Sequence, residues 1–217
     1  MSSTDASISG TRNGSRAKFV VAGVVAAVIA GIAVDTHVVP IGSEQDLRQQ
    51  GFNATIYGQQ EFPRIRENIA TRAVNAPQLA AEIAEDQATA VARHGVGDGI
   101  GPVIPVRFTG IIGEGRSGIH DVTIDGLPDG VRVRVQTGPA INGTELRDAT
   151  GDISFGQFRN QIEYQDAGSA LNRAMASEVL ADLNRDTLEG STVTVTGAFR
   201  LINPANWLVT PIELVLQ

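Results

Sequence analysis

The sequence predicts an α+β protein, mainly β: a five-stranded barrel with a helix between its third and fourth strands, preceded by an N-terminal helical pair and a transmembrane or signal helix. Three observations predict it. Phe19 to Val34 is apolar without a single charge. Over residues 60–94 apolar side chains recur every three or four positions, the mark of amphipathic helices. From Val103 onward the period falls to two, returns to four over one segment, and falls to two again. Three strands, a helix and two strands is the element order of an oligonucleotide/oligosaccharide-binding (OB) barrel, although a generic antiparallel sheet with one covering helix would give the same string.

Residues 1–35 read as a cytoplasmic tail and signal anchor. Arg12, Arg16 and Lys18 precede "FVVAGVVAAVIAGIAV", and Asp35 is the next charge. As a helix this stretch spans about 24 Å, short of the ~30 Å hydrocarbon core, unless Ala17 joins it and Lys18 snorkels. The expected arrangement is a single pass with everything after Asp35 on the extracytoplasmic, periplasmic side. Gly31 and Ala33 leave cleavage open. Residues 36–59 read as a juxtamembrane tether broken by Pro40 and Gly42.

The helical pair covers residues 60–94. Phe62, Ile65, Ile69 and Ala73 form one face of the first helix, with Pro63 in its first turn. Leu79, Ile83, Ala90 and Val91 form one face of the second, interrupted by Gln87, opposite Glu82, Glu85, Asp86 and Arg93. "GVGDGIGP" (residues 95–102) follows a helix and precedes a strand, the reverse of a phosphate-binding loop, and reads as a linker. The barrel domain is 103–217. Strands are expected at 103–112, 119–124 and 131–136, with "LPDG" as a turn. A helix capped by Asp166 carries Leu171, Met175, Val179 and Leu183 towards Gly190. The last strands are 191–199, with Val193, Val195 and Phe199 on one face, and 206–217, with Leu208, Ile212, Leu214 and Leu216 on one face. Trp207, the sole tryptophan, is placed in the core or at a barrel end, with sugar stacking as the other reading.

Composition removes several kinds of chemistry. The 217 residues contain no cysteine, so disulfides, thiolate nucleophiles and sulfur-rich metal sites are out. The whole chain carries 17 Lys+Arg against 24 Asp+Glu; residues 1–35 hold three of the basic and two of the acidic groups, which leaves 14 against 22, a net of −8, on the remainder. Such a surface repels phosphate backbones and disfavours nucleic acid. His37, His94 and His120 are isolated, so no metal site is expected, and no cofactor motif occurs. "EGRSG" (residues 114–118) reads as a hairpin turn, and no serine sits in a nucleophile setting. No catalytic residue is assigned and no enzyme is expected.

One stretch follows neither period: "GPAINGTELRDATGDISFGQFRNQIEY", residues 138–164, a polar insert in the barrel. It admits two readings. As a structural staple, Arg147 pairs with Glu145, Asp148 or Asp152, and Phe155, Phe158 and Tyr164 anchor the loop; Arg147 is then at least partly buried against a carboxylate. As a ligand site, Arg147, Asp148, Asn160, Gln161 and Tyr164 supply the amide, ionic and aromatic groups that bind a sugar. An acid/base pair from Glu145, Asp148 and Asp152 would need a defined separation, which spacing does not report.

"VVPIG" (residues 38–42), the 138–164 insert, "ALN" (170–172), "LEGSTVTVTGAF" and "VTPIELV" together resemble the domain-of-unknown-function family 2291, described as predicted periplasmic lipoproteins. The resemblance implies an extracytoplasmic, membrane-tethered protein whose genes commonly sit beside sugar ABC transporters, and no established reaction. Members typically carry a lipobox cysteine just before "xVVPI", where this chain has Thr36. Lipidation is therefore excluded, and residues 19–34 must hold the chain to the membrane, or it is released. The expected function is a membrane-anchored accessory or adaptor protein with sugar ABC transporter components as partners. The alternative is a carbohydrate or small-ligand module using the insert, and behind it a glycoside hydrolase.

Overall fold

Asn53 caps the first described helix: its side-chain oxygen accepts the Ile56 N–H at 3.1 Å at the start of α1, Ala54–Arg72. The computed structural model describes residues 52–97 and 101–217, besides Gly23. The expected anchor at 19–34, the tether up to residue 51 and part of the 95–102 linker lie outside the described residues. No helix among the described residues is long and apolar enough to cross a membrane. Because α1 begins inside the stretch read as tether, Pro63 sits in the helix interior, not in its first turn, and forgoes one backbone hydrogen bond. Phe62, Ile65 and Ile69 are fully buried, as the spacing predicts.

Strand β1, Val74–Asn75, leads into helix α2, Ala76–His94. Asp86 leaves the helical region (φ −152°, ψ 96°), and its carboxylate accepts the Ala88 N–H at 3.0 Å, the Thr89 N–H at 3.2 Å and the Thr89 hydroxyl at 2.6 Å. α2 is thus two helical segments, the second capped by Asp86. That break explains why Gln87 interrupts the apolar face.

The remaining strands are β2, Val103–Arg116; β3, Ile119–Thr123; β4, Arg132–Gln136; β5, Thr192–Arg200; and β6, Asn206–Leu216. They form a six-stranded sheet, order β1-β2-β3-β4-β6-β5, in which β2 also pairs with β5. The expectation of a plain five-stranded barrel is corrected here. β2 is long enough to hold β5 along one edge from Val103 to Ile111, while its other edge takes β1 at Val106 and Arg107 and then β3 from Ile111. The two extended residues between α1 and α2 fall beside that free edge and add the sixth strand.

On β6, Trp207 and Val209 are fully buried, while Leu208 is half-buried and Leu216 exposed, against the expected Leu208–Leu216 face. The pairing steps from Gly197↔Pro211 to Thr196↔Glu213, so Ile212 is an extra residue that reverses the inward parity. Trp207 stacks on Phe199 with ring centroids 4.5 Å apart and donates its indole N–H to the Pro204 carbonyl at 2.8 Å. It is a core residue, unavailable for stacking on a ligand.

Helix α4, Gln161–Val179, follows the short α3, Glu145–Asp148. Its cap is Asn160, whose side chain accepts the Glu163 N–H at 2.9 Å, and not Asp166; it ends at Val179, short of Leu183. α4 packs against α1 so closely that a Cβ on Gly58 would lie 2.5 Å from the Ala170 carbonyl oxygen. Gly58→Ala therefore sets a helix-propensity gain of about 1 kcal/mol against overpacking at a backbone atom, typically ~1–3 kcal/mol. The variant is expected to be less stable by urea unfolding; a midpoint equal to or above that of the wild type would contradict the close approach.

Candidate functional site

The insert is anchored by apolar residues as well as ionic ones. Leu146 and Ala149 are fully buried and Ile153 nearly so, in a cluster with Phe62, Ile65, Ile69, Leu171 and Met175. Leu146 and Ala149 fall three apart on the one-turn helix Glu145–Asp148 and its C-cap, while Ile153 turns inward from the non-helical chain after Gly151. Backbone groups are pinned from outside: Arg72 Nη1 donates to the Ala149 carbonyl at 2.8 Å, and Asn172 Nδ2 to the Gly143 carbonyl at 3.0 Å. Gln136 takes both polar groups of Asn142, donating to its carbonyl and accepting its N–H, each at 2.9 Å.

Of the five candidate ligand residues, the fold brings three together. Arg147, 6% exposed, donates from Nε to Asp148 Oδ1 at 2.8 Å and from Nη1 to the Tyr164 carbonyl at 3.1 Å, and its guanidinium lies 3.7 Å from the centre of the Tyr164 ring. Asp148 also accepts the Thr144 hydroxyl at 2.7 Å and a guanidinium N–H of Arg200 from the end of β5. Asn160 is the α4 cap, and Gln161 is exposed in the first turn of that helix. Of the other two carboxylates, Glu145 turns to Arg200 at 3.9 Å, while Asp152 is held outward by Arg64 at 2.6 Å. Nothing in the local sequence marks Thr144 and Arg200, because their role depends on β5 ending beside the insert.

Around this staple lies an aromatic cluster. Phe158 contacts Phe52 at 5.4 Å, Tyr57 at 5.8 Å and Tyr164 at 5.5 Å between centroids, and Phe155 contacts Tyr164 at 5.8 Å. Beside it Phe155, Ile162 and Ile56 are 50%, 71% and 49% exposed.

An open groove of about 640 Å³ lies elsewhere, on the outer face of β3 and β4, lined by Arg116, Arg132, Arg134, Asp121, Glu114 and Ile119 among others. Arg132 forks onto Asp121 with two bonds of 2.6 Å. In strand register Asp121 stands opposite Arg134, whose Nη2 donates to Asn206 at 3.0 Å and whose buried Nε–H has no partner. The signal for this groove lies in "VRVRVQ", whose alternation sends both arginines to the face opposite Val133 and Val135.

Residues 22–215 match a family model described as "Predicted periplasmic lipoprotein (DUF2291)". Among solved structures, an OB-fold protein from Thermotoga maritima is similar with a TM-score of 0.60 at 19% identity, over 77% of this chain and 99% of that one. No curated protein matches.

The staple's two carboxylates respond to acid in opposite directions. Burial pushes Asp148 up, but bonds from Arg147, Thr144 and Arg200 outweigh it and hold the carboxyl below the ordinary aspartate range. Its stabilisation is present above the unfolded value and is lost as pH falls through the depressed folded value. Burial raises Glu145, and the Arg200 charge offsets only part of that. The folded state then holds the Glu145 proton more tightly, so stability falls as pH rises from the ordinary glutamate value through the raised one. Asp148→Asn is expected to lose about 2–3 kcal/mol at pH 7, less than the ~3–5 of a fully buried pair, since 22% of the Asp148 side chain is exposed. Glu145→Gln is expected to be as stable as the wild type or more so at pH 7. Urea unfolding across the acid-to-neutral range checks both, and a clear loss in Glu145→Gln at pH 7 would mean that the attraction of Arg200 outweighs the cost of burying the charge.

Proposed function

Since this chain belongs to the DUF2291 family of predicted periplasmic lipoproteins, we propose that it acts outside the cytoplasmic membrane as a membrane-held accessory or adaptor protein, with a sugar ABC transporter component as its partner. The family supports the extracytoplasmic, membrane-associated placement. With no cysteine available for lipidation, residues 19–34 supply the hold, behind the basic residues Arg12, Arg16 and Lys18. The circuit of β2 to β6, with α4 between its third and fourth strands, is read as an OB-type barrel modified by β1 and the insert.

The observation that carries the adaptor reading is what the insert turns inward and what it leaves outside. Arg147 and Asp148 are satisfied within the protein, whereas Phe155, Ile162 and Ile56 are presented to solvent beside an aromatic cluster. Apolar and aromatic side chains exposed near one another in the chain fit a protein contact better than a site for a soluble sugar. A hydrolase on the insert carboxylates gains no support, because Glu145 and Asp148 both turn to Arg200 and Asp152 to Arg64.

The full chain, tagged at its C-terminus and crosslinked in intact cells, is expected to remain with the membrane fraction and to recover a sugar-transporter subunit. Ile162→Ser, a surface change of about ±0.5 kcal/mol in stability, joined to Phe155→Ser, which also gives up the ring contact with Tyr164, should cut that recovery several-fold. Absence of any transporter subunit from wild-type crosslinks, with the chain present in the membrane fraction, would overturn the partner assignment.

A further inference from the structure

We propose that the groove between the β2–β3 hairpin and β4 is a binding site for a small acidic ligand, a sugar-sized polyol bearing a carboxylate or a phosphate, held by Arg116, Arg132 and Arg134. The site goes beyond the adaptor reading and does not depend on where the chain is held. Three guanidinium-bearing residues line it with two carboxylate residues, a local positive surplus in a chain whose sequence after Asp35 carries a net charge of −8. A surplus of that sign in an acidic protein attracts anions to one place and repels them elsewhere.

The donor arrangement is more telling than the charge. Asp121 faces Arg134 across the β3–β4 pairing, yet its two oxygens are both taken by the diagonal Arg132. Arg134 is left with Asn206 on Nη2 and with a buried, unpartnered Nε–H, the only such side-chain atom among the described residues. A buried donor without an acceptor is destabilising; with Nη2 the one nitrogen of Arg134 that has a partner, its Nη1 is left to serve the groove that the residue lines. Arg132 uses Nε and Nη2 on Asp121, so its Nη1 is unengaged, and Arg116 at the end of β2 adds a third planar donor at the groove's edge. Guanidinium groups offer paired N–H donors that match carboxylate and phosphate oxygens.

At one end the groove is bounded by the hairpin itself, where Arg116 pairs with Ile119. At the other end of the same face, Gln136 is covered by Asn142, which stops the insert before it reaches Arg134. A volume of about 640 Å³ suits a sugar-sized molecule. A polynucleotide would need a longer basic track, which the acidic surface does not provide.

The test is calorimetry on the full chain in detergent at low ionic strength, with glucuronate, glucose 6-phosphate, glucose and inorganic phosphate as probes. At least one acidic sugar is expected to bind, glucose is not, and affinity should fall as salt is raised. Which acid binds tells a carboxylate site from a phosphate site. Arg134→Gln and Arg116→Gln should each weaken binding about tenfold or more, while Arg107→Gln, on an exposed part of β2 outside the groove, leaves it unchanged. Arg116 is exposed on the hairpin, so its variant tests the site even if Arg134→Gln fails to fold. Heat from neither acid, equal heat from glucose, or wild-type affinity in a folded Arg116→Gln variant would overturn the proposal. Inorganic phosphate binding as tightly as the acidic sugars would mean an adventitious ion only and would also overturn it.

Discussion

A single carboxylate, Asp148, sits between two guanidinium groups, that of its neighbour Arg147 and that of Arg200 from the end of β5. Much of the insert's conformation depends on that contact. Arg200 also donates to the Gly101 carbonyl, so the anion fixes the entry to β2 as well as the exit of β5. Arg147 sits over the Tyr164 ring and donates to its carbonyl, which sets where α4 starts relative to the insert. Two arginines and two carboxylates balance in number, but Glu145 is the more buried and less well bonded of the acids. The cluster is therefore a compromise: one ion whose partners outweigh its desolvation and another whose partners do not.

The outer face of β4 shows how one strand serves two ends. Val133 and Val135 point into the core, and Arg132, Arg134 and Gln136 point away from it. Asn142 closes over Gln136 as the chain leaves the strand, so the insert covers one end of the polar row and leaves the other uncovered. The same loop that buries Leu146, Ala149 and Ile153 thus sets the boundary of the open groove. Core packing and surface chemistry are linked here through three alternating residues.

Much of this architecture is legible in the amino-acid order. Alternation places β2 to β6, the four-residue spacing places the body of α4, and the burial of Arg147 follows from an arginine amid carboxylates in a long loop. What escapes has identifiable reasons. Asp86 caps half of α2, and a single polar residue, Gln87, is the one mark of that break in an apolar face that resumes at Ala90. Asn160 and Asp166 are both of capping type, and the chain between them carries no signal that picks the first, which the structure uses. The parity change at Ile212 is set by the partner strand, and β1 exists because β2 leaves an edge free, so neither is a property of its own segment. The arginine row of β4 is plain in the sequence, but its meaning comes from Asp121 choosing the diagonal partner.

Phe52, the first residue of the described unit, packs on Tyr57 and on Phe158. Rings from two distant stretches of the sequence, 52–57 and 158–164, therefore share one cluster, and a change at Phe158 loosens both at once.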